Sequence, residues 1–100
     1  LQAKVECNII HNEKGSRRIR FYNSEQADAR NVRIEIVNEG TLEGVKLLGT
    51  WGPYDLITSR NGYREERMFL SEGHTDALQL RIIWDDYFGK DRSILQSPQL

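Results

Sequence analysis

Apolar side chains fall at every second position through most of this chain, which is the period of a pleated strand with one face turned to a core. In Ile19–Val37, IRFYNSEQADARNVRIEIV, Ile19 and Phe21 alternate with Arg18, Arg20 and Tyr22. After a polar interval, Val32, Ile34 and Ile36 alternate with Arg33 and Glu35. The intervening SEQADAR is too long for a two-residue hairpin and too short for a parallel crossover carrying its own helix. It predicts a corner at which the chain leaves one sheet for a facing one.

The same rhythm recurs on both sides. Ala3–Ile10 puts Ala3, Val5, Cys7 and Ile9 on one face, and HNEKGS (His11 to Ser16) reads as the turn that pairs this strand with the next. NEGTLEG, from Asn38 to Gly44, breaks the pattern. Val45–Leu48 then gives a short strand suited to a sheet edge. In Gly49–Tyr54, GTWGPY, Pro53 fixes φ and removes a donor, so a turn carrying Trp51 and Tyr54 is expected. Leu56 and Ile57 form a brief strand before the Asn61-Gly62 turn. Tyr63–Leu70 contains good helix formers, but Met68 and Leu70 share a face opposite Tyr63 and Phe69, and the segment is too short for a stable helix, so a strand is expected. Ala77–Trp84 points Leu78, Leu80, Ile82 and Trp84 one way. Asp85–Asp91 turns the chain, and Arg92–Gln96 returns antiparallel. About seven strands separated by turn signals predict an all-β, two-sheet antiparallel β-sandwich.

Length and composition fit this picture. The 100 residues make one domain, 1–100, with enough chain for a core that needs no metal or disulfide. A net charge of −1 argues against a dedicated nucleic-acid surface. Cys7 is the single cysteine, so no internal disulfide forms, which favours a reducing compartment; on the apolar face it reads as a small core hydrophobe. No apolar run is long enough to span a membrane. The chain begins at Leu1 without a methionine or signal-type segment and is expected to be excised from a longer one.

IRFYNSEQADARNVRIEI and LQLRIIWDDYFGKDRS are similar to two stretches of immunoglobulin-like sandwich domains of prokaryotic cell-surface and membrane-anchored proteins. The first matches a strand ending in Asn, an Ala-containing corner and an Asn-Val strand. The second matches a last hairpin with a Trp-Asp strand end and a Gly-containing turn. The resemblance implies an accessory, protein-interaction or spacer domain of a larger bacterial protein. It also implies membrane attachment through residues upstream of Leu1; the reducing compartment favoured by the lone cysteine then points to the cytoplasmic side of the membrane. It carries over no catalytic residue. The chain departs from antibody-type domains in lacking the cysteine pair and in placing Trp84 late.

The chemistry-bearing residues assemble no motif. His11 and His74 sit in expected turns without a hydrolase signature around them. Asp85, Asp86 and Asp91 offer carboxylates, but their spacing misses the calcium-loop template, and turn capping explains them; no metal and no cofactor is expected. Arg17, Arg18 and Arg20, joined by Arg33 on a neighbouring strand, form a candidate basic face, with Glu35, Glu65 and Glu66 available to neutralise it. Trp51, Tyr54 and Tyr63 are the candidate ligand-binding aromatics at one end of the sandwich. The expectation is a non-enzymatic domain with a protein partner; the alternative is a carbohydrate-binding module that uses the three turn aromatics.

Overall fold

A computed structural model describes the backbone of residues 1–100 and every side chain except those of His11, Glu39 and Thr41. The chain forms eight strands: β1 (Val5–Glu13), β2 (Ser16–Asn23), β3 (Ala29–Ile36), β4 (Val45–Leu48), β5 (Tyr54–Ile57), β6 (Tyr63–Leu70), β7 (Leu80–Asp86) and β8 (Gly89–Gln96). They make two antiparallel four-stranded sheets, one in the order β1-β2-β6-β4 and the other β5-β3-β7-β8. This is a two-sheet β-sandwich. The SEQADAR corner carries the chain from β2 in the first sheet to β3 in the second, as the broken alternation predicts.

The alternating apolar positions meet between the sheets. Ile19, Phe21 and Met68 from the first sheet and Val32, Ile57, Leu80 and Ile82 from the second are all fully buried, with Trp84 at their edge. Each such side chain removed from water contributes roughly 1.5–3 kcal/mol before the entropy of ordering is subtracted. Cys7 lies in the same core. Burial, with a smaller push from the Glu6 charge, raises its thiol to about 12, so it stays protonated and serves as packing.

Strand ends differ from the pattern reading in ways that have local causes. β1 extends to Glu13 instead of stopping at Ile10, because a register shift between Ile9 and His11 lets pairing continue to Glu13 opposite Ser16. The backbone at His11 therefore belongs to the strand and not to a turn, and its side chain lies outside the described residues. Residues 39–42 form a 3-10 turn whose first donor, the Gly40 N–H, is accepted by the Asn38 side chain at 2.9 Å. β5 starts at Tyr54, directly after Pro53. β7 begins at Leu80, with Ala77 making an isolated bridge to Gln99. It runs on through Asp86, so the Asp85–Asp91 turn shrinks to the two residues Tyr87 and Phe88.

Among the described residues, one polar residue is buried as a whole, backbone and side chain together. Asn23, the last residue of β2, donates to the carbonyls of Ala27 (2.7 Å) and Ile57 (3.2 Å) and accepts from the N–H groups of Lys4 and Glu25, both at 3.2 Å. It ties the start of the chain, the corner and the end of β5 at one pole of the molecule. Leu1 lies at this pole, beside Ala27 and Tyr87. Leu100 lies at the other, where its carbonyl accepts from Arg17 at 3.0 Å and its N–H donates to Asp76. The sandwich between them measures 43 × 23 × 19 Å.

Candidate functional site

The three candidate aromatics do not converge. Trp51 is buried; its ring meets Phe21 edge-on with centroids 5.8 Å apart, and its indole N–H donates to the Leu48 carbonyl at 2.8 Å. Tyr54 packs on the same Phe21 at 6.3 Å. Both close the core beneath the Gly49–Tyr54 turn. Tyr63 stands on the outer face of the first sheet, with the Arg20 guanidinium over its ring at 4.1 Å. Separated by the thickness of a sheet, they present no common platform to a sugar ring.

What holds Trp51 and Tyr54 is Glu66, which the sequence reading assigned to neutralising the basic face. Strand alternation instead turns Glu66 inward with Met68. Its Oε2 accepts from the Trp51 backbone N–H at 3.2 Å and from the Tyr54 hydroxyl. Burial, followed by this bond to a carboxylate, pushes the Tyr54 phenol far above its ordinary range, so it remains a donor. Trp51 takes φ 53°, a left-handed conformation that a bulky residue adopts only when its surroundings fix it. The contacts to Glu66, Leu48 and Phe21 supply that fixation.

The four basic-face arginines are also divided. Arg18 and Arg20 share the outer face of the first sheet, where Glu65 accepts from Arg20 at 2.6 and 2.8 Å and lies 3.7 Å from Arg18. Arg17 has the opposite parity and is spent on the carbonyls of Leu100, Glu13 and Ser16. Arg33 lies on β3 in the other sheet, bonded to Asp85 at 3.3 Å and to Asp91. Glu35 stays with it on that sheet, paired with Arg81 at 3.1 Å. Arg33 is thus not on a neighbouring strand of Arg18 and Arg20, and no face contains all four.

The carboxylates of the last hairpin are engaged as turn caps. Asp85 accepts from the Asp91 N–H at 2.9 Å, from Arg33 and from Asn31; the Asp91 bond leads in lowering its pKa. Asp86, whose side chain is fully enclosed, accepts from the N–H groups of Ala3 (2.9 Å), Phe88 (2.8 Å) and Gly89 (3.2 Å) and from the Trp84 indole at 3.3 Å, with Arg92 at 3.4 Å. Burial pushes its pKa up, but these donors outweigh that and hold it below the ordinary carboxylate range. Among the described residues no group of three or more His, Cys, Asp or Glu side chains is placed to hold a metal ion. His74 turns its Nδ1 to the Thr75 carbonyl at 2.7 Å, and among the described residues no acid or nucleophile side chain is hydrogen-bonded to its ring.

The feature that the pattern reading passed over is the tip these carboxylates build. Tyr87 is 94% exposed and Phe88 68%, at a turn where Asn, Asp or Gly is the usual occupant. Asp86 caps the turn from one side and Gly89 closes it from the other, so neither ring is needed for the backbone to turn. Beside the tip a groove of about 480 Å³ is lined by Leu1, Ala27, Asp28, Arg30, Asp85 and Tyr87. Two adjacent aromatics inside DDYFGKD, where the turn chemistry asks for small polar residues, were the available signal. No family model, no curated protein and no solved structure matches the chain.

Proposed function

We propose that this chain is an immunoglobulin-like, non-enzymatic interaction domain of a larger protein and that it docks a protein partner through the pole carrying Leu1, Tyr87 and Phe88. Its strand arrangement supports the first half. β1-β2-β6-β4 facing a sheet centred on β3-β7-β8 divides the strands as immunoglobulin sandwiches divide A-B-E-D from C-F-G. The departure is β5, which joins β3 only after β4 has joined the other sheet.

The carrying observation for the second half is the Tyr87-Phe88 tip. The turn geometry requires neither ring, although the Arg92 guanidinium lies 5.5 Å from the Phe88 centroid; such exposed aromatics bring large apolar area at small entropic cost, which is why they act as anchors in protein interfaces. The enclosed Asp86 fixes the tip before any partner arrives, so little ordering is left to oppose binding. The mixed charges around the groove, Asp28 and Arg30 among them, suit a polar rim.

A photo-crosslinking residue placed at position 88 in the full-length parent, with position 81 on the outer face of the second sheet as control, tests this. A discrete crosslinked protein from position 88 alone is the expected result. Equal products from both positions, or turnover by the domain in a substrate screen with no crosslink, would refute the proposal.

A further inference from the structure

The two outer faces of the sandwich are not equivalent in charge. On the second sheet Arg33 is matched by Asp85 and Asp91, and Arg81 by Glu35. The first sheet turns five cations, Lys4, Arg18, Arg20, Lys46 and Arg67, outward against three carboxylates, Glu6, Glu13 and Glu65, in a chain whose net charge is −1. Glu65 is taken by Arg20 and Arg18, and Glu6 by Lys4 at 3.8 Å and the Ser24 hydroxyl at 2.9 Å.

Arg67 and Lys46 are left over. Arg67 stands directly opposite Arg18 in the β2–β6 ladder, and Lys46, opposite Phe69 on β4, is the diagonal neighbour of Arg67. Among the described residues neither has a carboxylate within ion-pair distance. Like charges placed directly opposite one another destabilise a sheet, so this arrangement does not serve the fold. Within the cluster Phe69 is 53% exposed, and a cleft of about 420 Å³ opens beside it between Leu42, Val45 and Leu70.

We infer that Arg18, Arg67 and Lys46, with Phe69 and the cleft, bind an extended acidic segment of a partner protein. Its carboxylates meet the cations, and an apolar side chain of the same segment packs on Phe69 and enters the cleft. Charge-assisted bonds from two guanidinium groups suit carboxylates in bidentate geometry. Single-stranded nucleic acid fits less well, because it needs successive free aromatic faces and the Tyr63 face is already covered by Arg20. A sulfated glycan has no apolar group for the cleft. This surface is separate from the Tyr87-Phe88 pole and does not depend on it.

The test is fluorescence anisotropy of the intact domain with a labelled Glu- and Asp-rich peptide that contains one leucine, beside oligo-dT and a heparin fragment. The peptide is expected to bind at low salt and to weaken as salt rises. Arg67→Glu and Lys46→Glu should each cut its affinity at least about tenfold, since each replaces an attraction by a repulsion. Arg67→Glu should also raise Tm, because the introduced carboxylate faces Arg18; that rise shows that lost binding is not lost folding. Tyr87→Ser with Phe88→Ser should leave peptide affinity unchanged. Absent peptide binding, tighter binding of oligo-dT or heparin, unchanged affinity in Arg67→Glu, or a Tm lowered by it would each overturn the inference.

Discussion

Asn23 and Asp86 do for this fold what a disulfide or metal does in smaller domains: each pins segments far apart in sequence to one point. Asp86 reaches the N–H of Ala3, 83 residues away along the chain. Its pH dependence follows from the direction of its shift. A carboxylate whose folded pKa lies below the unfolded value of about 3.9 adds stability above that value and loses it as the pH falls through the folded pKa. Asp86→Ala should therefore cost about 1–3 kcal/mol at neutral pH, through the orphaned N–H groups. Denaturant titrations of the two proteins should converge as the pH drops below 4 or so; a gap that widens in acid would contradict the assignment. Asn23 and Asp86 are readable in the sequence as a strand end and a turn former. Their clamping roles are not, because the partners that make them clamps, the backbone groups of Ala3, Lys4 and Ile57, are remote and leave no mark on local pattern.

At the scale of elements, alternation was sufficient wherever both neighbours of a strand obeyed it. Tyr63–Leu70 reads correctly as a strand because Met68 and Leu70 agree on a face. Alternation misled where a charged residue sits on the inward face, as Glu66 does, since a carboxylate there looks like a solvent residue until its donors are known. Those donors come from the Gly49–Tyr54 turn, and the fit is close. Gly49 has φ 85°, and a Cβ built on it would lie 2.6 Å from Glu66 Oε1. Gly49→Ala combines that clash with a left-handed backbone and should lower stability by about 1–3 kcal/mol, measured by thermal melting. An unchanged melt would mean that the turn does not depend on Glu66. Trp51 and Tyr54 were legible as a pair of turn aromatics, yet their inward direction was not, because it depends on that buried acceptor.

For the molecule as a whole, the corner that predicts two sheets also decides which residues can share a surface. β2 and β3 separate at SEQADAR, so Arg20 and Arg33 fall on opposite faces, and a basic face spanning both was inconsistent with the sandwich predicted from the same residues. The more coherent cation cluster needs Lys46 and Arg67, which only the β4–β6 and β2–β6 registers bring beside Arg18. The placement of Leu1 and Leu100 at opposite poles has a mechanical side. β1 and β8 run in the same direction along neighbouring edges, linked where the Cys7 N–H donates to Gln96 at 3.4 Å. Tension applied between the two terminal residues draws these strands lengthwise past β2 and β7, and the crosswise ladder bonds must then yield together. Gripped instead at Leu1 and Ser24, the β1–β2 ribbon opens one rung at a time. In an optical trap the first attachment should rupture at the markedly higher force, and this sandwich would then transmit load along its long axis with little extension.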